Sequence, residues 1–141
     1  MAKSGRYSAD RKKVEALGAS SRTLEVHDCG TIFTMDGDEA ITVTLPAVDV
    51  AGPGWWAKFI LVDEGTATTT FTFPATSASI HCNSSTGGDV NALNSDGAFK
   101  TTINYNVNDT GTLGDQIEIV CDGTYYHVLV NMDADDGITI A

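Results

Sequence analysis

The stretch from Gly114 to Asn131 constrains this chain most, because two runs of β-branched, aromatic and apolar residues flank the dipeptide Asp122-Gly123. Asp-Gly readily supplies the two positive-φ residues of a type I′ turn. The pattern therefore predicts a β-hairpin with a two-residue loop. That loop predicts five cross-strand pairs: Cys121 with Thr124, Val120 with Tyr125, Ile119 with Tyr126, Glu118 with His127, and Ile117 with Val128.

Alternation along both strands sorts the hairpin side chains onto two faces. The face predicted to pack in the core carries Ile117, Ile119, Cys121, Tyr126, Val128 and Val130. The other face is mixed and carries Glu118, Val120, Tyr125, His127 and Leu129. The pattern leaves open whether a neighbouring element or water covers that second face.

Two further stretches predict strands. Residues Ile41 to Leu45 alternate strictly, which places Ile41, Val43 and Leu45 inward. The run from Trp55 to Val62 is apolar enough for a central strand covered on both faces. Trp55 and Trp56 must point to opposite sides, so one serves the core and the other lies against another element, a neighbouring subunit or a ligand.

The whole chain reads as all-β. Of its 141 residues only 19% are charged, and threonine, glycine, asparagine and serine separate short apolar runs. We expect nine to eleven strands, no helix of note, and a long loop from Asn83 to Phe99. The predicted organisation is an extended N-terminal arm, residues 1–13, followed by one domain, residues 14–141, folded as a β-sandwich of jelly-roll type. A fibre-like knob that completes its sheet on oligomerising is the alternative.

Charge is distributed unevenly along the chain. The first 22 residues hold the cations Lys3, Arg6, Arg11, Lys12, Lys13 and Arg22 and the carboxylates Asp10 and Glu15. This balance of +4 leaves −15 for residues 23–141, because the net charge is −11. An acidic body repels nucleic acid and anionic membranes, so we expect neither as a direct partner. The arm is expected to bind an acidic or polar protein surface, with Tyr7 as its anchor.

Chemistry at a metal or catalytic centre is not expected. His27, Asp28 and Cys29 stand together and His81 precedes Cys82, but adjacent strand residues point apart and cannot readily grip one zinc ion. The acidic run from Asp133 to Gly137 has its glycine at the fifth place rather than the sixth of a calcium loop. No nucleophile signature is present. We therefore predict no metal, no cofactor and no enzymatic activity.

The three cysteines form no disulfide framework, and no apolar run suits a secretory signal or the roughly 20 residues of a membrane span. Folding in a reducing cytoplasm is therefore expected.

Short motifs at both ends of the chain resemble small β-rich bacteriophage virion proteins, among them capsid decoration (cement) proteins and tail-fibre domains. The similar stretches are Gly114-Asp115 with Asp122-Gly123-Thr124 in the hairpin, Val14 to Leu24, Asp28 to Phe33, Ile41 to Pro46, and Gly137 to Ala141. Residues 75–113 have no counterpart in the resemblance.

The resemblance implies a capsid decoration protein, made in the host cytoplasm and carried on the virion surface as a homotrimer. Its partner would be the major capsid protein of the assembled lattice. The contact residues expected in the arm are Lys3, Arg6, Tyr7, Arg11, Lys12 and Lys13. The outward-facing member of Trp55 and Trp56 would anchor the oligomer or the partner. The alternative is a receptor- or glycan-binding module of a tail fibre, using an exposed tryptophan and residues 83–99.

Overall fold

A computed structural model describes residues 12–74, 80–86, 89–92, 101–106, 112–133 and 137–141; for 80–86 and 89–92 it describes the strand pairing. The fold is all-β, as predicted. Its strands are β1 (Lys13–Ala16), β2 (Arg22–Thr23), β3 (Thr31–Asp36), β4 (Ile41–Thr44), β5 (Trp56–Asp63), β6 (Thr68–Thr72), β7 (Ile80–Thr86), β8 (Asp89–Ala92), β9 (Thr102–Asn106), β10 (Gln116–Cys121), β11 (Tyr126–Met132) and β12 (Ile138–Ile140). In these ranges the helical elements are the 3₁₀ turn η1 (Val26–Asp28) and the short helix α1 (Val48–Ala51).

The strands form two mixed sheets. The seven-stranded sheet has the order β1-β3-β5-β10-β11-β7-β8, and the five-stranded sheet has the order β12-β9-β6-β4-β2. Five of the strand pairs are parallel and five are antiparallel. A jelly roll is built from antiparallel strands, so the parallel pairs distinguish these sheets from that topology.

The first six strands alternate between the sheets. Strands β1, β3 and β5 are parallel neighbours in the larger sheet, while β2, β4 and β6 are parallel neighbours in the smaller one. Parallel neighbours need a crossover connection, and here each crossover is a strand of the other sheet. The chain therefore winds in successive turns, which leaves β1 and β2 at sheet edges.

Inward side chains from both sheets meet in one hydrophobic core. Phe59 of β5 contacts Phe71 of β6 edge to face, with ring centroids 4.7 Å apart. Phe73, which follows β6, contacts Tyr126 of β11 at 5.3 Å. Such aromatic pairs contribute about 0.5–1.5 kcal/mol each beyond the area they bury. These contacts hold the two sheets against each other.

The predicted hairpin exists, but its predicted register was wrong. Cys121 lies opposite Tyr126 and Ile117 opposite Val130, so the loop has four residues rather than two. The Asp122 carboxylate accepts the backbone N–H groups of Thr124 and Tyr125, each at 2.7 Å, and this side-chain turn replaces a type I′ turn.

A shift of two residues keeps every side chain on its face, since the side-chain period of a strand is two. The predicted core face is therefore confirmed. Its six members are all buried: Ile117, Ile119, Cys121, Tyr126, Val128 and Val130.

The other strand predictions were confirmed in part. Ile41, Val43 and Leu45 are buried as predicted, and β5 is an interior strand of its sheet, between β3 and β10. Its outer face is only half-buried, whereas the sequence predicted full cover. The predicted loop from Asn83 to Phe99 was wrong in part, because β7 continues to Thr86 and β8 follows it. The rest of that stretch, residues 87–88 and 93–99, lies outside the described residues.

Candidate interaction surface

Trp55 is the core member of the tryptophan pair. Its side chain is 2% exposed, and its ring meets Tyr126 edge-on at 6.2 Å. Its indole N–H donates a hydrogen bond of 3.2 Å to the Glu25 carbonyl oxygen. With both its apolar ring and its polar N–H satisfied inside the molecule, Trp55 is not available to a partner.

Trp56 points to the outer face of the seven-stranded sheet. It is half-buried, and the Lys12 ammonium lies 5.5 Å from the centroid of its ring. A cation over an indole at an exposed site contributes about 0.5–1 kcal/mol. Gly30 lies beside the same ring, where a Cβ atom would stand 3.7 Å from it. Trp56 is thus the outward tryptophan, and it sits where the chain enters the body after residue 11.

An apolar surface surrounds Trp56. Register places Val120 opposite Trp56 and Ile32 opposite Val14 on this outer face. We call it the outer sheet face, formed by Val14, Ile32, Trp56, Lys58, Ile60, Glu118, Val120 and Leu129. Val14 is 63% exposed and Leu129 is 55% exposed. The register places Lys58 and Glu118 between Ile32 and Leu129, so the exposed apolar side chains flank a charged pair.

Opposite charges stand near the middle of the outer sheet face. Lys58 of β5 lies directly opposite Glu118 of β10. The predicted cross-strand pair of Glu118 with His127 was wrong, because the hairpin register places Leu129 opposite Glu118. The His127 Nε2 atom instead lies 2.6 Å from Asp122 Oδ2, and this hydrogen bond is the main reason why the pKa of Asp122 is lowered to about 2.

A network of charged side chains connects β1, β2 and η1. Glu15 contacts Lys13 at 2.8 Å and Arg22 at 2.6 Å, and Arg22 also reaches buried Asp28 at 3.2 Å. The guanidinium group lies 4.9 Å over the Phe33 ring. Hydrogen bonds from Lys13 and Arg22 lower the pKa of Glu15 to about 2, and the bond to Glu15 raises the pKa of Arg22.

The residues predicted for the arm therefore divide into two groups. Lys3, Arg6, Tyr7 and Arg11 lie outside the described residues. Lys12 lies on Trp56, and Lys13 is the first residue of β1 with its ammonium held by Glu15. Lys13, which the sequence assigned to the end of the arm, pairs with Thr31 of β3.

The sequence predicts no zinc site, and of the residues weighed for one, His81 and Cys82 have side chains outside those that the structure describes. His27 is exposed and lies 3.4 Å from Glu25, while Cys29 is an exposed free thiol. Cys121 is buried, and burial raises the pKa of its thiol. The described part of the chain holds no group of three or more His, Cys, Asp or Glu side chains suited to a metal ion. No helix within the described ranges is long and apolar enough to span a membrane.

Sequence reasoning missed an apolar groove of about 500 Å³. Its lining residues are Leu24, Glu25, Val26, His27, Pro46 and Val50. These residues come from two separate loops. The available signal was a pair of valines, Val26 and Val50, in the connections between strands.

Comparisons with protein-family models, curated proteins and solved structures found no match to this chain. The resemblance to phage virion proteins therefore stays a prediction.

Proposed function

We propose that this chain is a bacteriophage capsid decoration protein, in which a β-sandwich body is held on the assembled capsid by a basic N-terminal arm and the outer sheet face. The aromatic contacts of Phe59 with Phe71 and of Phe73 with Tyr126 support a sandwich. The parallel pairs argue for a sandwich whose first strands wind in turns rather than for a jelly roll.

One observation carries the proposal: Lys12, the cation nearest the body at the end of the arm, lies on outward-facing Trp56. Residues 1–22 carry +4, whereas the rest of the chain carries −15. The C-terminal end of the basic segment, at Lys12, thus lies beside outward-facing Trp56 on an acidic body. Cations for an acidic or polar partner and an aromatic anchor for its apolar surface are both features of protein interfaces.

The homotrimer in the proposal comes from the resemblance. The outer sheet face offers apolar surface for its contacts, because Trp56 points outward and Leu129 is 55% exposed. In the proposal the major capsid protein and the neighbouring copies share this region, with the arm toward the capsid.

Decoration then stabilises the capsid by mass action. A protein that binds the assembled lattice and not its free subunits shifts the equilibrium toward assembly. Several arms attached to one trimer raise the effective concentration of each at the lattice. The proposed role needs no cofactor, catalysis, nucleic acid or membrane, and it places the protein on the virion surface after folding in the host cytoplasm.

The fibre-module alternative is less well supported. It needs an exposed tryptophan and a binding loop at residues 83–99, yet Trp55 is buried and β7 and β8 occupy part of that loop. Copy number in the virion distinguishes the two roles, because a decoration protein covers the lattice and a fibre protein does not.

The test is binding to assembled capsids of the phage that encodes the chain. Removal of residues 1–11 spares Lys13 and β1, and we expect capsid affinity to fall by about tenfold or more, equivalent to about 1.4 kcal/mol. Binding of the full chain should weaken as salt rises. The matched control is a full-length chain with Glu64→Gln, which changes one exposed charge outside both the arm and the outer sheet face. Unchanged occupancy by the shortened chain would overturn the proposal.

A further inference from the structure

The groove between the loops 24–27 and 46–50 is built like a binding site. Leu24, 1% exposed, forms part of its wall, while Val26 and Val50 remain 48% and 58% exposed. Exposed valines beside a cavity of about 500 Å³ leave apolar surface in water that one bulky side chain would cover.

Both walls of the groove are fixed by buried aromatic residues. The Trp55 indole N–H holds the Glu25 carbonyl on one side at 3.2 Å. The Tyr126 hydroxyl donates to the Pro46 carbonyl oxygen on the other side at 2.7 Å. Because both donors belong to the core, the groove is preformed, and an occupant does not have to order it.

The rim of the groove is acidic. The Glu25 side chain is 68% exposed, and Asp49 of α1 is exposed next to Val50. His27 lies 3.4 Å from Glu25. An apolar wall with carboxylates at the rim is complementary to an aromatic side chain that has a cation beside it.

The chain contains such a segment. Tyr7 is the one aromatic residue among residues 1–11, and Arg6 precedes it. The segment joins the body at Lys12, next to the Trp56 ring. The Gly30 N–H donates a hydrogen bond of 2.8 Å to the Trp56 carbonyl oxygen. Gly30 therefore lies beside Trp56, and it follows Val26 of the groove by four residues.

The distances allow contact within one molecule. Lys13 pairs with Thr31, so Lys12 lies about one strand spacing, roughly 5 Å, from Gly30. Val26 is four residues before Gly30 and thus at most about 14 Å from it. Tyr7 is five residues before Lys12 and can reach about 18 Å from it. The reach of Tyr7 therefore matches the distance to the groove.

We propose that the groove is a docking site for the N-terminal segment of the same chain, with Tyr7 in the cavity and Arg6 beside Glu25. In the free protein the basic segment then lies on its own acidic body. The inference does not depend on capsid binding. If the proposed function also holds, the capsid competes with the groove for the same segment.

The test is photo-cross-linking of the free, full-length protein that carries p-benzoylphenylalanine in place of Tyr7. We expect cross-links to residues 24–27 and 46–50, formed within one chain. Mixing isotope-labelled and unlabelled protein separates cross-links within one chain from those between chains. Val50→Arg places a long, charged side chain at the cavity proposed for Tyr7 and should lower the yield by about tenfold. Val62→Arg changes another exposed valine outside the groove and should leave the yield unchanged.

Three results would overturn the inference: cross-links that fall elsewhere on the body, equal yields from the Val50→Arg and Val62→Arg variants, or cross-links that join two chains. The last result would assign the groove to a second copy. Since no capsid is present, none of these outcomes decides whether the protein decorates one.

Discussion

The hydroxyl group of Tyr105 donates a hydrogen bond of 3.0 Å to the carboxylate of Asp115, and both residues are buried. Tyr105 belongs to the five-stranded sheet, and Asp115 immediately precedes β10 of the seven-stranded sheet. The same carboxylate accepts the backbone N–H groups of Thr112 and Asp133. Burial, reinforced by the nearby carboxylate, raises the pKa of Tyr105, so the hydroxyl remains a donor. One polar cluster thus joins the two sheets inside an apolar core.

Removing this link should destabilise the fold. Tyr105→Phe deletes one hydrogen bond to a charged group, and we expect the free energy of unfolding to fall by about 1.5–3 kcal/mol. Asp115→Ala also leaves the N–H groups of Thr112 and Asp133 without their acceptor, so its loss should be larger. Urea denaturation followed by circular dichroism measures both. A Tyr105→Phe protein within about 0.5 kcal/mol of wild type would contradict this account of the link.

Gly65 is required by close contact rather than by backbone angle. A Cβ atom at Gly65 would overlap the backbone carbonyl group of Gly37 and the nitrogen of Asp38. Because backbone cannot move aside as a side chain can, Gly65→Ala should cost about 2–3 kcal/mol or more.

The matched control for Gly65→Ala is Gly18→Ala, where nothing lies within 4 Å of the added atom and the strain comes from a φ of +81°. That strain costs about 1–2 kcal/mol. Thermal unfolding of both variants measures the difference. A midpoint for Gly65→Ala at or above that of Gly18→Ala would refute the contact argument.

The Glu15 network predicts a dependence of stability on pH. The pKa of Glu15 is lowered in the folded protein from 4.5 to about 2, mainly by hydrogen bonds from Lys13 and Arg22. A carboxylate whose pKa is depressed by folding stabilises the protein above its unfolded pKa, and this contribution is lost as pH falls toward the folded value. The stability difference between wild type and Glu15→Gln should therefore be constant above pH 4.5 and shrink between 4.5 and about 2. A difference that does not change across this window would show that the ion pairs contribute nothing.

Alternation was sufficient to predict the two faces of the sheets. Ile41, Val43 and Leu45 are buried as their spacing indicates, and the hairpin faces are correct although its register is not. The register depends on the Asp122 side chain, which accepts two backbone N–H groups of the loop. The alternation of apolar residues along a strand does not predict these hydrogen bonds.

Features that depend on distant parts of the chain could not be predicted. Strand β7 contains Asn83, Ser84 and Ser85, residue types that are typical of loops. The strand forms because β11 is its parallel partner. The groove joins Val26 of η1 to Val50 of α1, which are 24 residues apart in the sequence. Local residue preference reports neither relationship, since both arise from tertiary packing.

The sequence did not determine which of Trp55 and Trp56 faces the core. Substituting each tryptophan in turn tests the assignment in solution. Alternation requires Trp55 and Trp56 to point apart, but it does not say which one faces the core. Burial assigns Trp55 to the core. Trp55→Ala should therefore lower the free energy of unfolding by about 3–5 kcal/mol, the usual cost of deleting a buried aromatic side chain. Trp56→Ala should cost less, since Trp56 is only half-buried and its contact with Lys12 is weak.

Fluorescence can separate the two residues without relying on stability. A Trp55→Phe protein retains Trp56, so its emission should be quenched readily by acrylamide and should shift when Lys12 is replaced by glutamine. A Trp56→Phe protein retains Trp55 and should resist quenching and ignore the Lys12 substitution, because its indole is enclosed and bonded to Glu25. The reverse pattern would exchange the two faces and remove the outward tryptophan on which the interaction surface depends.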